Sequence, residues 1–194
     1  MSIYKNNKKV IALYKGATPI GKVFKGSQLV FGSEGGGESH SDFELVLGAL
    51  GDDIVINNKY IRTTANNTKD NGNGTYTYMA DASIFGFGGA NDNYSEAFNG
   101  CSNLIEVGHL YFPNTIVDCA EMFSNCINLQ KINAEGWNVS HLTQSAKVKS
   151  MLSNCRSLTL IVLGQVDSIT YDWWYARLTD AGLQAQVAIQ ATII

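Results

Sequence analysis

The segment Val117-Asp118-Cys119-Ala120-Glu121-Met122-Phe123-Ser124-Asn125-Cys126-Ile127-Asn128-Leu129 decides how the chain reads, because its pattern is written three times. Its apolar positions Cys119, Met122, Phe123 and Cys126 are followed by Leu129 and Ile132. Upstream, Tyr94, Ala97, Phe98 and Cys101 are followed by Leu104 and Val107. Downstream, Val148, Met151, Leu152 and Cys155 precede Leu158 and Ile161. Cysteine thus recurs at 101, 126 and 155, in steps of 25 and 29 residues, a period that belongs to stacked repeat architectures. The i, i+3, i+4, i+7 spacing within each copy predicts one apolar face of a two-turn helix. Gly100, Asn125 or Asn154 precedes the repeated cysteine, and these types accept the left-handed backbone that ends a helix. Each copy therefore reads as helix, turn, strand. A single copy cannot bury its own apolar face, so its neighbours must cover it.

The strand portions are Leu104, Val107 and His109, then Leu129, Ile132 and Ala134, then Leu158, Ile161 and Leu163. Their L-x-x-L-x-L spacing is the strand signature of leucine-rich repeats. The quoted segment resembles the V-x-D-M-x-x-M-F-x-x-C-x-x-L unit of BspA-like leucine-rich-repeat surface proteins of bacteria. Gly136-Trp137-Asn138-Val139-Ser140-His141-Leu142-Thr143 is similar to the G-W-D-x-S-x-V-T turn of the same family. Two departures stand out: Tyr111-Phe112-Pro113-Asn114 replaces the tryptophan turn in the first copy, and four extra residues precede the third helix. The resemblance covers residues 94–163. It implies an α/β fold, a short right-handed β-α solenoid of three to four coils, and it implies a cell-surface adhesin for host or matrix ligands.

The remaining chain is organised around that region. Residues 1–32 hold three apolar runs in which Tyr14-Lys15-Gly16 and Phe24-Lys25-Gly26 recur ten residues apart, predicting a small three-stranded β-meander. These residues weakly resemble hairpin segments near the N-termini of phage and prophage tail-associated proteins. A small sheet on its own exposes its edges, so self-association through 1–32 is expected. Residues 33–41 are a Gly/Ser/Glu linker that includes His40. Residues 42–92 read as a β-rich cap, with turns at Asn57-Asn58 and across Lys69–Thr75. Residues 93–194 carry the repeats and a divergent last coil. There Tyr171, Trp174, Tyr175 and Leu178 mark a helix face with Thr170 as N-cap, and Gln184 to Ile194 alternates as a strand.

Composition narrows the function classes. Of 194 residues only 16% are charged and the net charge is −3, so no basic footprint for nucleic acid is present. No apolar run reaches the roughly 20 residues of a membrane-spanning helix, so membrane insertion is not expected. No secretory leader is visible at the start: either a leader was removed before residue 1, or a virion-associated protein, or a surface or secreted one exported by a non-Sec route, is expected. The four cysteines fall at fold positions and read as a buried ladder, with disulfides between coils or zinc as the weaker alternatives. No cofactor is implied.

Neither G-x-S-x-G nor H-E-x-x-H occurs, and His40, His109 and His141 have no partner at a motif spacing. His109 reads as an interior residue. The chain is expected not to be an enzyme. The candidate binding surface is the strand face turned away from the core, with Glu106, Lys131, Asn133, Leu160 and Val162. Trp173 joins it as the best candidate for an exposed aromatic. Glu106 and Lys131 read as a cross-strand pair, and Leu160 and Val162 as an apolar patch awaiting cover. The expected function is a non-enzymatic binding or assembly module for a protein or glycan ligand, tail-associated in phage or prophage. The alternative is the bacterial adhesin.

Overall fold

The computed structural model describes residues 42–89 and 92–194, together with six short strands inside residues 4–31. The chain divides into two compact units, residues 1–40 and 41–194. In the first unit, β1 (Tyr4–Lys5) pairs with β2 (Lys8–Lys9), β3 (Leu13–Lys15) with β4 (Thr18–Ile20), and β5 (Val23–Lys25) with β6 (Gln28–Phe31). All three pairs are antiparallel. Among the described residues they form three separate two-stranded ladders, in place of the single three-stranded meander expected.

The second unit is mostly sheet with one α-helix. Its cap region supplies β7 (Phe43–Leu47), β8 (Asp53–Ile56), β9 (Lys59–Arg62), β10 (Thr68–Asp70) and β11 (Tyr76–Ala80). Next come β12 (Asp92–Asn93), β13 (Leu104–Leu110), β14 (Ile116–Asp118), β15 (Lys131–Asn133) and β16 (Leu160–Val166). Helix α1 (Ser168–Asp180) and β17 (Ala188–Ile193) follow. The principal sheet has seven strands in the order β10-β11-β7-β13-β15-β16-β17, and it is mixed. The pairs β13–β15, β15–β16 and β16–β17 are parallel, whereas β7 joins β13 and β11 antiparallel.

The repeat segments are not helices, and this corrects the reading of the sequence. In the first copy the amides of Tyr94, Glu96, Phe98 and Gly100 donate to the carbonyls of Asp118, Ala120, Met122 and Ser124 in the next copy. The intervening amides of Ala97, Asn99 and Cys101 donate three residues back. The second copy repeats the arrangement against Lys147, Lys149, Met151 and Ser153. An α-helix would commit every amide to the carbonyl four residues earlier. Here a left-handed residue every fourth position prevents that: Glu96 and Gly100, Glu121 and Asn125, Ser150 and Asn154 all have φ between 55° and 76°. The result is a run of tight turns, bonded copy to copy as strands are.

The apolar spacing still does what it predicts. Tyr94, Ala97, Phe98, Cys119, Met122, Phe123, Cys126 and Cys155 are fully enclosed, and Cys101, Val148, Met151 and Leu152 nearly so. The rings of Phe98 and Phe123 stack at 5.2 Å. A second aromatic row crosses the copies: Tyr94 stacks on Phe112 at 5.7 Å, Phe112 on Trp137 at 4.5 Å, and Trp137 leans on Trp174 at 5.7 Å. Phe112 therefore fills, in the first copy, the place that Trp137 holds in the second.

Residues 43–62 cover the open side of the first copy twice. β7 pairs with β13 on the strand side. On the turn side the amide of Val55 in β8 donates to the carbonyl of Ala97 at 2.9 Å, and Ile54 and Ile56 are buried. The Asn57-Asn58 turn has φ of 50° and 60°, the left-handed pair that closes a two-residue hairpin between β8 and β9. At the other end, α1 is capped by Asp167, whose carboxylate accepts from the amide of Thr170 at 2.7 Å. Thr170 itself is inside, and Tyr175 is exposed rather than part of the packed face.

Candidate binding surface

Parallel pairing sets the candidate residues in rows. Glu106 is opposite Lys131, Lys131 opposite Leu160, and Leu160 opposite Ala188, so one side-chain row crosses four strands. Asn133, Val162 and Gln190 form the neighbouring row. Val107, Ile132 and Ile161 alternate with these and are fully buried, which leaves the candidate residues on the opposite face. Glu106, Lys131, Asn133, Leu160 and Val162 are all half-exposed.

Lys131 Nζ donates to Glu106 Oε1 at 2.7 Å. Both side chains keep about a third of their surface in water, so the pair contributes roughly 0.2–1 kcal/mol. Beside it, Leu160 and Val162 make an apolar pair without a neighbouring charge on β17, where Ala188 and Gln190 stand next in the rows. The patch is thus charged at one end and apolar at the other.

Trp173 is not an exposed aromatic on that row. It is half-buried on α1, packs edge-on against Trp174 at 5.3 Å, and donates its Nε1–H to the carbonyl of Leu142 at 3.0 Å. The Arg177 guanidinium lies 5.2 Å from its ring centroid. These contacts lock α1 to the Trp137–Leu142 turn. His109, expected inside, is exposed. The ladder shifts register between Val107 and His109, so Leu110 takes the buried position that Ala134 and Leu163 hold in the later copies. Gly108 marks that irregularity: a Cβ there would stand 3.3 Å from the carbonyl oxygen of Glu44.

The cysteines are free and buried. Cys126 Sγ donates to Phe98 O and Cys155 Sγ to Phe123 O, each at 3.0 Å, and Cys101 Sγ to Asp53 O at 3.3 Å. Each of these three thiols thus caps a carbonyl of the preceding layer. Burial pushes all four thiols up, Cys155 to about 12, which suppresses the reactive thiolate. Among the described residues no group of three or more His, Cys, Asp and Glu side chains is placed to hold a metal ion. Among the same residues no helix is long and apolar enough to cross a membrane.

Sequence reasoning missed two features on the turn side. An asparagine ladder runs along it: Arg156 Nε donates to Asn154 Oδ1, Asn154 Nδ2 to Asn125 Oδ1 at 3.0 Å, and Asn125 Nδ2 to Asn99 Oδ1 at 3.1 Å. Beside its first rung lies an open cleft of about 510 Å³ lined by Asp53, Val55, Tyr60, Ser95, Glu96 and Asn99. Tyr60 is largely exposed there, and Asp53 is paired with Arg62 at 3.1 Å. The asparagines at positions 99, 125 and 154 were the available signal for the ladder. The cleft joins segments too distant in sequence to be foreseen. No protein-family model matches the chain, and neither a curated protein nor a solved structure matches it significantly.

Proposed function

We propose that this chain is a non-enzymatic binding and assembly module: a short right-handed solenoid of leucine-rich-repeat type that recognises a protein or glycan ligand on its strand face. The observation that carries this reading is the in-register row Glu106, Lys131, Leu160, with Asn133 and Val162 beside it. Rigid parallel strands hold these side chains at fixed spacing, and the half-exposed Leu160 and Val162 form an apolar patch that water wets at a cost. The turn segments support the same reading, since the first two copies each bond to the next through both strand and turns. A tail-associated role in phage or prophage fits the hairpin-bearing residues 1–32. The repeat motif, similar to that of BspA-like surface proteins, favours the second reading of an adhesin.

Leu160→Glu combined with Val162→Thr tests the face with little cost to the fold. The introduced carboxylate would gain Lys131 as a cross-strand partner, and threonine keeps a β-branched side chain. Purified protein is screened on an immobilised panel of glycans and extracellular-matrix proteins. Binding should weaken at least tenfold in the double variant while its melting temperature stays within a few degrees. Unchanged binding by a folded double variant would remove the strand face from the proposal. Selective capture by matrix proteins would favour the adhesin reading.

A further inference from the structure

We propose that two copies of this chain join through β17, antiparallel, about a two-fold axis at Ala191, which continues the sheet from one copy into the other. The proposal does not rest on the ligand-binding reading. β17 pairs with β16 on one side and, among the described residues, with no strand on the other. The amides of Ala188 and Ile194 donate to β16-side carbonyls, Thr159 O at 2.9 Å and Val166 O at 3.1 Å. Strand alternation then turns the N–H and C=O groups of Ile189, Ala191 and Ile193 to the free edge.

Those three positions select the register. With Ala191 opposite Ala191, Ile189 of each copy faces Ile193 of the other, and all three edge residues exchange both of their bonds. A shift of two residues in either direction leaves only two such pairs. The side chains agree. Ile189 and Ala191 are half-buried on the core face and Ile193 is 56% exposed, so the pairing sets Ile189 against Ile193 and extends the core across the axis. Gln190 and Thr192 meet on the other face. β17 carries no charge to oppose its own copy, whereas the opposite edge of the sheet, β10, is three residues long and bears Lys69 and Asp70. An axis perpendicular to the sheet also leaves both candidate binding faces on the same side.

The test uses the full chain. Light scattering after size exclusion should give a dimer that dissociates on dilution. Ala191→Pro removes one edge N–H per copy at a site where no intrachain bond is lost, and should shift the protein to monomer. Gln190→Cys combined with Thr192→Cys should form a disulfide-linked dimer under mild oxidation, because Gln190 of each copy faces Thr192 of the other as a non-hydrogen-bonded pair, about 4.5 Å apart at Cα and within disulfide reach. Lys69→Cys, on the far edge, should not. The native thiols are buried and do not compete. A monomer at high micromolar concentration overturns the proposal. So does a dimer in which the Gln190→Cys, Thr192→Cys variant fails to cross-link, whether or not the proline variant folds.

Discussion

Gly100 has a φ of 76°, and open space surrounds the point where its Cβ would stand. The equivalent residues Asn125 and Asn154 sit at 62° and 61°. Gly100→Ala therefore isolates the cost of left-handed backbone from any clash. It should lower the unfolding free energy by about 1–2 kcal/mol, read from urea denaturation with an unchanged slope. Gly100→Asn should lose less, because the side chain of asparagine tolerates that conformation and the other two copies already use it. Equal losses for both variants would mean that the cost lies elsewhere. These three residues were legible in the sequence as chain-reversing types. Glu96, Glu121 and Ser150 were not, because nothing in a glutamate or serine announces a positive φ. Those three convert the expected helix into turns. Two N-x-S/T sequences, Asn73-Gly74-Thr75 and Asn138-Val139-Ser140, behave in the same local way: Asn73 and Asn138 each accept from the amide and hydroxyl of the residue two ahead, Thr75 and Ser140. Their N-x-S/T pattern has a turn-forming use in this fold.

At the scale of elements, the apolar spacing was sufficient to place every inward side chain of the repeats and insufficient to say what backbone carries them. A four-residue turn repeat and a helix both return side chains to one face at i, i+3, i+4, i+7, so the pattern alone does not separate them. The strand side was read correctly in register, Glu106 opposite Lys131. The error at His109 came from one irregularity in the ladder, which a single sequence does not reveal. The join between the cap and the first copy was also hidden, since it depends on Asp52, which is almost wholly buried. Its carboxylate accepts from the Asn103 amide at 3.0 Å and from Asn103 Nδ2 at 2.9 Å. Burial raises the Asp52 carboxyl above its usual value, with the Asn103 hydrogen bonds opposing that shift. In the folded chain the proton is therefore held to higher pH than in the unfolded chain, whose carboxyl titrates near 3.8. Stability from this group is present in full at low pH and is lost as pH rises through the raised value, flat above it. Thermal melts of the native chain and of Asp52→Asn, compared between pH 4 and 7, should show the native chain gaining ground towards pH 4. Parallel curves across that interval would assign the pH dependence to another carboxylate.

For the whole molecule, the composition break at residues 33–41 and the structural division at residue 40 fall together. The larger unit contains the entire core described above: Phe43, Leu45 and Leu47 from β7, the enclosed repeat residues, and Trp174 and Leu178 from α1. Among the described residues, every member of that core lies beyond residue 41. Among the described residues the smaller unit holds two-stranded ladders of two to four residues per strand, which are marginal when isolated. Removing residues 1–40 should then leave the cooperative melt of the larger unit within about 2–3 °C of the full chain, monitored by near-ultraviolet circular dichroism of the Phe112–Trp137–Trp174 row. If self-association runs through the β17 edge, the truncated chain also stays dimeric. If it runs through residues 1–32 instead, truncation gives a folded monomer. A truncated chain that melts broadly or aggregates would show that residues 1–40 belong to the same cooperative unit, and that the linker composition had been misread as a boundary.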